Sequence, residues 1–320
     1  MHHPPPPPLL FRTMSLKALA NKIASMTNME KITSSMKMVA AAKMKGTELR
    51  LEAGKPFGQR IVAAAFPQPT VDEETLDEDA AAQMVTDSDT NAFVVISSDR
   101  GLCGGVNSAV VKCTKAAMEK LAAEGKADAA AINIVGDKAR GGLERVFPGN
   151  LGCTMDETWA EPPSFAMASA ITSRVLASEA DRVHVVFNTF KSAIAYQPTI
   201  FNCENYHAFN EKALDSDGPI YPAHLEDYEF EPENSTEALQ NMYEFALAGA
   251  VFNGMIEGQA SEESSRMAAM DNASKNAVSA PLSLPPPLLP AGTEHADYQH
   301  TYPSLPAPPF RTFSLFCLPG

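Results

Sequence analysis

Apolar side chains recur at helical spacing near the beginning of the chain. From residue 16 they return at every third or fourth position, at Leu16, Leu19, Ile23, Met26, Met29, Ile32, Met36 and Val39. Ser15 is a suitable N-cap for a helix that starts here. The pattern predicts one helix over residues 15–66, which Pro56 could kink or interrupt. A continuous helix of this length would reach roughly 78 Å at 1.5 Å per residue.

A second long helical pattern covers residues 234–277. Asn234 and Glu237 form a start like a capping box. The apolar stripe that follows consists of Leu239, Met242, Ala246, Gly249, Phe252 and Ile256. Both helices are too long to lie along the side of a compact domain, so each needs a partner. We therefore expect the two terminal helices to pair with each other as an antiparallel coiled coil.

Residues 91–233 alternate between strand-like and helix-like segments. The segments "AFVVISS", "AAAINIVG", "RVHVVFNTFK" and "AIAYQPTIFN" have the apolar and β-branched character of strands, and helical patterns separate the first three. The last two strands are close enough in sequence to form an antiparallel edge. Alternating strands and helices predict an open, Rossmann-like α/β domain. The expected fold class is therefore α/β, with this central domain between two long terminal helices.

Three segments have no such periodicity. Residues 1–14 are a proline-rich leader, and residues 67–90 carry eight acidic and no basic residues, as expected of a solvated linker. Residues 278–320 contain ten prolines, which lack the N–H that a helix needs. We expect this tail to form no helix, so that residues 15–24 of the first helix lack a partner and fray.

Charge is unevenly distributed along the 320 residues. The net charge of −14 argues against a nucleic-acid-binding protein. Residues 15–60 nevertheless carry nine Lys or Arg residues against three Glu residues. This basic arm is either an ordinary solvated surface or the contact surface for an acidic partner. The five cysteines are scattered without metal-ligand spacing, which is typical of free thiols in a reducing compartment.

The segment "SDRGLCGGVN", residues 98–107, follows a strand and opens a helix, where phosphate-binding loops occur. Its glycines, Gly101, Gly104 and Gly105, fit neither G-x-G-x-x-G nor the Walker A spacing. We interpret them as a tight turn in which Asp99 and Arg100 brace the loop or contact another protein. Nucleophile elbows and zinc-ligand motifs are also absent from the sequence, which predicts no cofactor, no metal and a mechanical function.

Three segments together resemble the gamma subunit of F-type ATP synthase. They are "KITSSMKMVAAAKM" (31–44), "SSDRGLCGGVN" (97–107) and "SEESSRMAAMDNASKNA" (261–277), in the family's order. A fourth, "INIVGDKAR" (132–140), is similar to the mitochondrial form. The resemblance extends over residues 15 to 277. The family's last helix continues well beyond the third segment, whereas this sequence turns to proline.

The resemblance implies a rotor shaft without a catalytic site of its own. Its partners would be the alpha and beta subunits of the catalytic head, a small epsilon/delta-type subunit and the c-subunit ring, and nucleic acid is not among them. It would lie peripherally on the matrix side of the mitochondrial inner membrane. The residues implied in rotor–stator coupling are Lys31, Met36, Lys37, Lys43 and Arg266. Asp99, Arg100, Gly101, Gly104 and Gly105 would form a structural turn or subunit contact.

Two other functions remain as alternatives at this point. One is a nucleotide-dependent enzyme with a Rossmann-like domain, and the other is a free coiled-coil adaptor. Co-purification with alpha and beta subunits distinguishes the rotor shaft from the adaptor.

The glycine spacing generates a binding prediction. The isolated chain should bind neither ATP nor NAD, because no loop has the spacing that holds a phosphate. Isothermal titration calorimetry measures this directly. A dissociation constant on the order of micromolar, about −8 kcal/mol, would instead support the nucleotide-dependent enzyme.

Overall fold

The computed structural model describes residues 16–66, 68, 88–209 and 235–279. The leader at 1–14, almost all of the linker at 67–90 and the tail from 280 to 320 lie outside these residues. The described part is a mixed α/β structure with one five-stranded sheet and two long helices, one at each end. The helices are α1 Leu16–Phe57, α2 Ala63–Ala65, α3 Val106–Ala123, α4 Arg140–Leu143, α5 Phe165–Leu176 and α6 Ser235–Ser279.

The sheet contains the strands β1 Asn91–Ile96, β2 Ala130–Val135, β3 Leu151–Met155, β4 Arg182–Ser192 and β5 Ala195–Glu204. Their spatial order is β3-β2-β1-β4-β5. The first four strands run parallel, and β5 pairs antiparallel with β4 at one edge. Strand β3 was not predicted, because "LGCTM" is short, contains a glycine and is only half-buried at the opposite edge.

The two faces of the sheet have separate cores. On one face, Val94, Val185 and Phe187 pack with α5 and with Leu247 and Met255 of α6. On the other face, alternate strand residues pack against α3, with Phe93, Val95, Ile132, Ile134, Val110 and Met118 all fully buried. Burial on both faces explains why β1 and β2 are almost continuously apolar.

Helices α1 and α6 pair along much of their length and run in opposite directions. The Lys37 ammonium lies 2.6 Å from the Asp271 carboxylate. Further along α1 and further back along α6, the Arg50 guanidinium donates to Gln259 at 3.1 Å. Leu51 is then buried in one cluster with Ile256.

The end of α1 differs from the predicted continuous helix. The α-helix continues through Pro56 to Phe57, and a π-helical segment follows at Gly58–Val62 before α2. Proline has no N–H to donate to the preceding turn, which interrupts the regular ladder at this point. The helices are also very close here, since a Cβ on Gly58 would clash with the Asn253 side chain.

The register of the pair corrects the expected extent of the unpaired segment. The sequence analysis expected residues 15–24 to lack a partner, which put the end of the pairing near residue 25. In the structure Lys37 is level with Asp271. Helix α6 ends eight residues beyond Asp271, and the residue eight positions before Lys37 is Met29. Residues up to about 28 therefore extend past the end of α6, and Ile23 is exposed.

We predict that backbone amides of residues 17–28 exchange quickly in the isolated chain. An isolated helix of about 12 residues is marginal in water, because little stabilises it beyond its own hydrogen bonds. Hydrogen exchange resolved by residue tests this, with residues 37–52 of the same helix as the paired control. Equally slow exchange in both segments would contradict the prediction and indicate another partner for the first segment.

His184 is fully buried in the middle of β4. Its Nε2 lies 2.9 Å from the Oδ1 of Asn91, whose own amide nitrogen donates to the Ser88 carbonyl, and its Nδ1 lies 2.7 Å from the Oδ1 of Asn202. Burial lowers the pKa of His184 from 6.5 to about 4. The ring is therefore neutral at pH 7, and one of its nitrogens donates to a neighbouring amide oxygen.

This burial predicts a pH-dependent stability. Between pH 6.5 and pH 4 the unfolded ring binds a proton that the folded ring does not, so the unfolding free energy falls as the pH falls. The contribution of His184 is roughly 3 kcal/mol across that window. Urea denaturation at several pH values should show a smaller loss in His184→Gln, which cannot titrate. Equal losses in the two proteins would assign the dependence to other groups.

Candidate functional site

An open cleft of about 1030 Å³ lies between the paired helices and two loops of the α/β domain. One wall is α1, and another is α6. The loops are residues 99–102 after β1 and residues 157–162 after β3. Six of the ten predicted site residues line this cleft, namely Met36, Lys43, Asp99, Arg100, Gly101 and Arg266.

Four predicted residues lie outside the cleft lining. Lys31 is exposed on α1, further toward the start of the helix. Lys37 is engaged with Asp271, whose second carboxylate oxygen lies 2.6 Å from the Lys275 ammonium. Hydrogen bonds from Lys275 and Lys37 lower the pKa of Asp271. Gly104 and Gly105 belong to the same turn as Asp99 but face other neighbours.

The α6 wall of the cleft carries a buried ionic cluster. Arg266 contacts Glu262 one turn earlier, and its guanidinium lies 2.9 Å from the Glu263 carboxylate. All three residues are at most 9% exposed. Burial raises the pKa of Glu262, and the charge of Arg266 opposes that shift. The Lys43 ammonium reaches across from α1 to within 4.0 Å of Glu263, so the cluster also connects the two helices.

The open side of the cleft carries charges of both signs. The side chains of Lys43 on α1 and Arg100 on the loop after β1 are exposed, and so are those of Glu157 and Glu161 on the loop after β3. Glu262 and Glu263 lie deeper, where Arg266 offsets part of their charge. An approaching acidic segment would therefore be attracted to the α1 side of the cleft and repelled by the loop after β3.

Asp99 braces the two loops that border the cleft. One carboxylate oxygen accepts the backbone N–H of Trp159 at 3.0 Å, and the other accepts the backbone N–H of Asp137 at 3.3 Å. The Trp159 indole donates to the Ser97 carbonyl at 2.7 Å. Asp99 thus orients the loop after β3 and leaves Arg100 and Gly101 at the surface of the cleft.

Gly104 and Gly105 allow neighbouring elements to approach the turn closely. Gly104 has φ +64°, a conformation that L side chains rarely adopt, and a Cβ there would lie 2.8 Å from the Ser265 hydroxyl. A Cβ on Gly105 would lie 2.9 Å from the Tyr196 hydroxyl. Ser265 also donates to the Cys103 carbonyl at 2.7 Å. Both glycines therefore lie against α6 and β5 of the same chain.

The sequence analysis did not identify Glu262 and Trp159, which connect Arg266 and Asp99 to the rest of the site. The spacing of Glu262 and Arg266 was visible as an i,i+4 pair, but nothing in it indicated burial. Trp159 is the only tryptophan, and it lies in a stretch without periodicity.

Within the described ranges, no group of three or more His, Cys, Asp or Glu residues has a metal-binding arrangement. None of the described helices is long and apolar enough to span a membrane.

Comparisons with known proteins point to one family. The sequence model of the family described as ATP synthase matches residues 15–281. The mitochondrial ATP synthase subunit gamma of Ipomoea batatas is 32% identical over 268 residues, which is 83% of this chain and 76% of that protein. The corresponding Drosophila melanogaster protein is 34% identical over 265 residues, or 82% of this chain and 80% of that protein.

A solved structure gives the same result. A chain of the central stalk and c-ring of the Tetrahymena thermophila mitochondrial ATP synthase is 31% identical, with a TM-score of 0.57. The similarity covers 76% of this chain and 99% of that chain.

We predict that Arg266→Ala destabilises the isolated chain by about 3–5 kcal/mol, because it leaves two buried carboxylates without their partner. The matched control is Lys275→Ala, which removes an exposed i,i+4 ion pair from the same helix and should cost less than about 1 kcal/mol. Urea denaturation of both variants gives the two values. Similar small losses would mean that water reaches the Glu262 and Glu263 carboxylates.

Proposed function

The chain belongs to the ATP synthase gamma-subunit family, and from that premise we propose how it works as the central rotor shaft of an F-type ATP synthase. Proton flow turns the c-ring, the ring turns this chain, and its rotation drives the catalytic sites on the beta subunits through successive conformations. The chain supplies the moving part and has no catalytic site of its own. The reaction takes place on the beta subunits.

We propose that α1 and α6 form an antiparallel coiled coil that projects from the α/β domain. The pairs Lys37–Asp271 and Arg50–Gln259 support this arrangement, as does the burial of Leu51 with Ile256. A helix with the 42 residues of α1 is roughly 63 Å long, far more than the domain needs. The strand order β3-β2-β1-β4 supports a Rossmann-like domain, which serves as the foot of the shaft.

One observation carries this proposal. Helix α6 is half of the shaft and also part of the core of the foot. Leu247, Val251 and Met255 are buried against the sheet, while Asp271 on the same helix pairs with α1. A rotation of the foot therefore turns the shaft directly, since one helix is shared and no joint separates the two parts.

The cleft is the proposed contact for the stator. Acidic loops of the beta subunits would meet the basic side of α1, where Lys31 and Lys43 are exposed and Met36 borders the cleft. Complementary charge at such a contact sets its orientation and rate more than its affinity. Lys37 and Arg266 take part through their own pairs, because Asp271 and the Glu262–Glu263 pair hold them in position.

The remaining partners and the location follow from the family. We propose that the α/β domain contacts the small epsilon/delta-type subunit and the c-ring, while the shaft contacts the alpha and beta subunits. The mitochondrial relatives support a location in the mitochondrion, and there we propose a peripheral position on the matrix side of the inner membrane. The turn at Gly104 and Gly105 also suits this function better than nucleotide binding, because α6 and β5 lie directly against it.

We predict that Met36→Lys lowers the number of protons pumped per ATP hydrolysed in a reconstituted complex without unfolding the chain. The extra charge at the cleft would bind an acidic beta loop too strongly and hold the rotor. Met38→Lys is the matched control, because Met38 is 64% exposed on α1 and does not line the cleft.

Proton pumping, ATP hydrolysis and a melting curve are measured for both variants. If Met36→Lys pumps at the ratio of the unmodified complex, Met36 has no coupling role. If it melts far below Met38→Lys, Met36 is a packing residue, and the new charge is buried.

A further inference from the structure

A row of polar side chains lies along the face of α6 that meets the α/β domain. It consists of Glu257, Ser261, Ser264 and Ser265, which fall within an arc of about 100° around the helix axis at 3.6 residues per turn. The first three are at most 7% exposed, and Ser265 is half-buried. We call these four residues the polar row. They lie immediately beyond the apolar part of α6 that packs against the sheet.

Every member of the polar row bonds to the backbone of the domain. The Glu257 carboxylate accepts the Phe190 N–H at 2.8 Å. The Ser261 hydroxyl donates to the Asn188 carbonyl at 2.9 Å, and the Ser264 hydroxyl donates to the Ala193 carbonyl at 2.7 Å. Ser265 donates to Cys103, as described above. The row thus connects α6 to β4, to the turn between β4 and β5 and to the turn after β1.

These bonds differ in kind from the apolar contacts next to them. Apolar burial is non-directional, so a helix held only by such contacts can roll or slide a little at small cost. Hydrogen bonds to fixed backbone atoms weaken steeply as the angle changes. Four of them on one helical face resist rotation of α6 about its own axis. They also resist sliding along β4.

Glu257 lies where both helices of the shaft meet the sheet. Burial raises the pKa of Glu257, while the Phe190 N–H and the charges of Lys55 on α1 and Lys191 on β4 favour its ionised form. A buried carboxylate that accepts a backbone N–H stabilises the structure only while that geometry is kept. Breaking this hydrogen bond would leave a buried carboxylate without its donor. Of the four residues, Glu257 should therefore tolerate the least movement of α6.

We propose that the polar row is the torsional anchor of the shaft. Its residues are positioning residues that hold the shaft at one angle relative to the foot. Torque applied to the foot then reaches the cleft without twisting α6 relative to the domain. The inference rests on the proposed rotor function, since torque has to pass from the domain to the shaft. It assigns that task to four named side chains, whereas the family relationship assigns it to the subunit as a whole.

The test uses the complete ATP synthase complex that contains the full chain. The variants are Ser261→Ala with Ser264→Ala, and separately Glu257→Ala and Glu257→Gln. Glutamine keeps an oxygen that can accept the Phe190 N–H, so Glu257→Gln separates the hydrogen bond from the charge. The control is Thr114→Val, which removes a buried hydroxyl that bonds only within α3.

Two measurements are made on each complex. The first is the angular variance of a probe on the c-ring while the catalytic head is held and the rotor is paused, which increases as the rotor becomes less stiff. The second is the number of protons pumped per ATP hydrolysed against an increasing proton gradient. A melting curve of each isolated chain separates torsional effects from a simple loss of stability.

We expect the serine double variant and Glu257→Ala to increase the angular variance and to lose pumping under load, while Glu257→Gln and Thr114→Val stay near the unmodified complex. Unchanged variance in both the double variant and Glu257→Ala would overturn the anchor. If a variant chain does not fold, Ser261→Ala alone takes its place. If the unmodified chain does not couple hydrolysis to pumping, the proposed function fails, and the anchor fails with it.

Discussion

The burial of α6 between the sheet and α1 is the interaction on which the rest of the structure depends. Its first half packs on the sheet through Leu247, Val251 and Met255. Its second half pairs with α1, and the ionic cluster around Arg266 borders the cleft. The 45 residues of α6 therefore belong both to the core of the α/β domain and to the pair with α1. The cleft lies where this helix leaves the sheet and continues along α1.

Charge complements this packing along the helix pair. The basic residues of α1 face acidic residues of α6 at Lys37–Asp271 and Lys43–Glu263. Exposed ion pairs contribute little to stability, but they favour one register over its neighbours because a shift brings like charges together. The buried glutamates are different, since they are tolerated only where Arg266 is present. The charged residues of α1 and α6 thus determine both the register of the helix pair and which charged side chains line the cleft.

The function of the glycine-rich turn at residues 98–107 can be assigned only from the residues that surround it. In the sequence it occupies the place of a phosphate loop with the wrong spacing. In the structure Asp99 holds the loop after β3, and Gly104 lets Ser265 of α6 come close. The turn fastens the shaft helix to the domain, which agrees with the mechanical function of the family and with the row of hydrogen bonds that continues from Ser265 along α6.

The sequence by itself determined the two long helices, the strands β1, β2, β4 and β5, and the family. These features can be recognised from periodicity and short motifs, because both reflect local geometry that residues close together in the chain determine. The tertiary structure decided that "LGCTM" forms the edge strand β3, because pairing with β2 supplies what its side chains do not indicate. It also decided that Lys37 meets Asp271 and that Glu262 and Glu263 are buried, since register and burial depend on residues more than two hundred positions away in the chain. A helical repeat fixes which face of a helix is apolar, whereas only the partner helix and the sheet fix what that face touches.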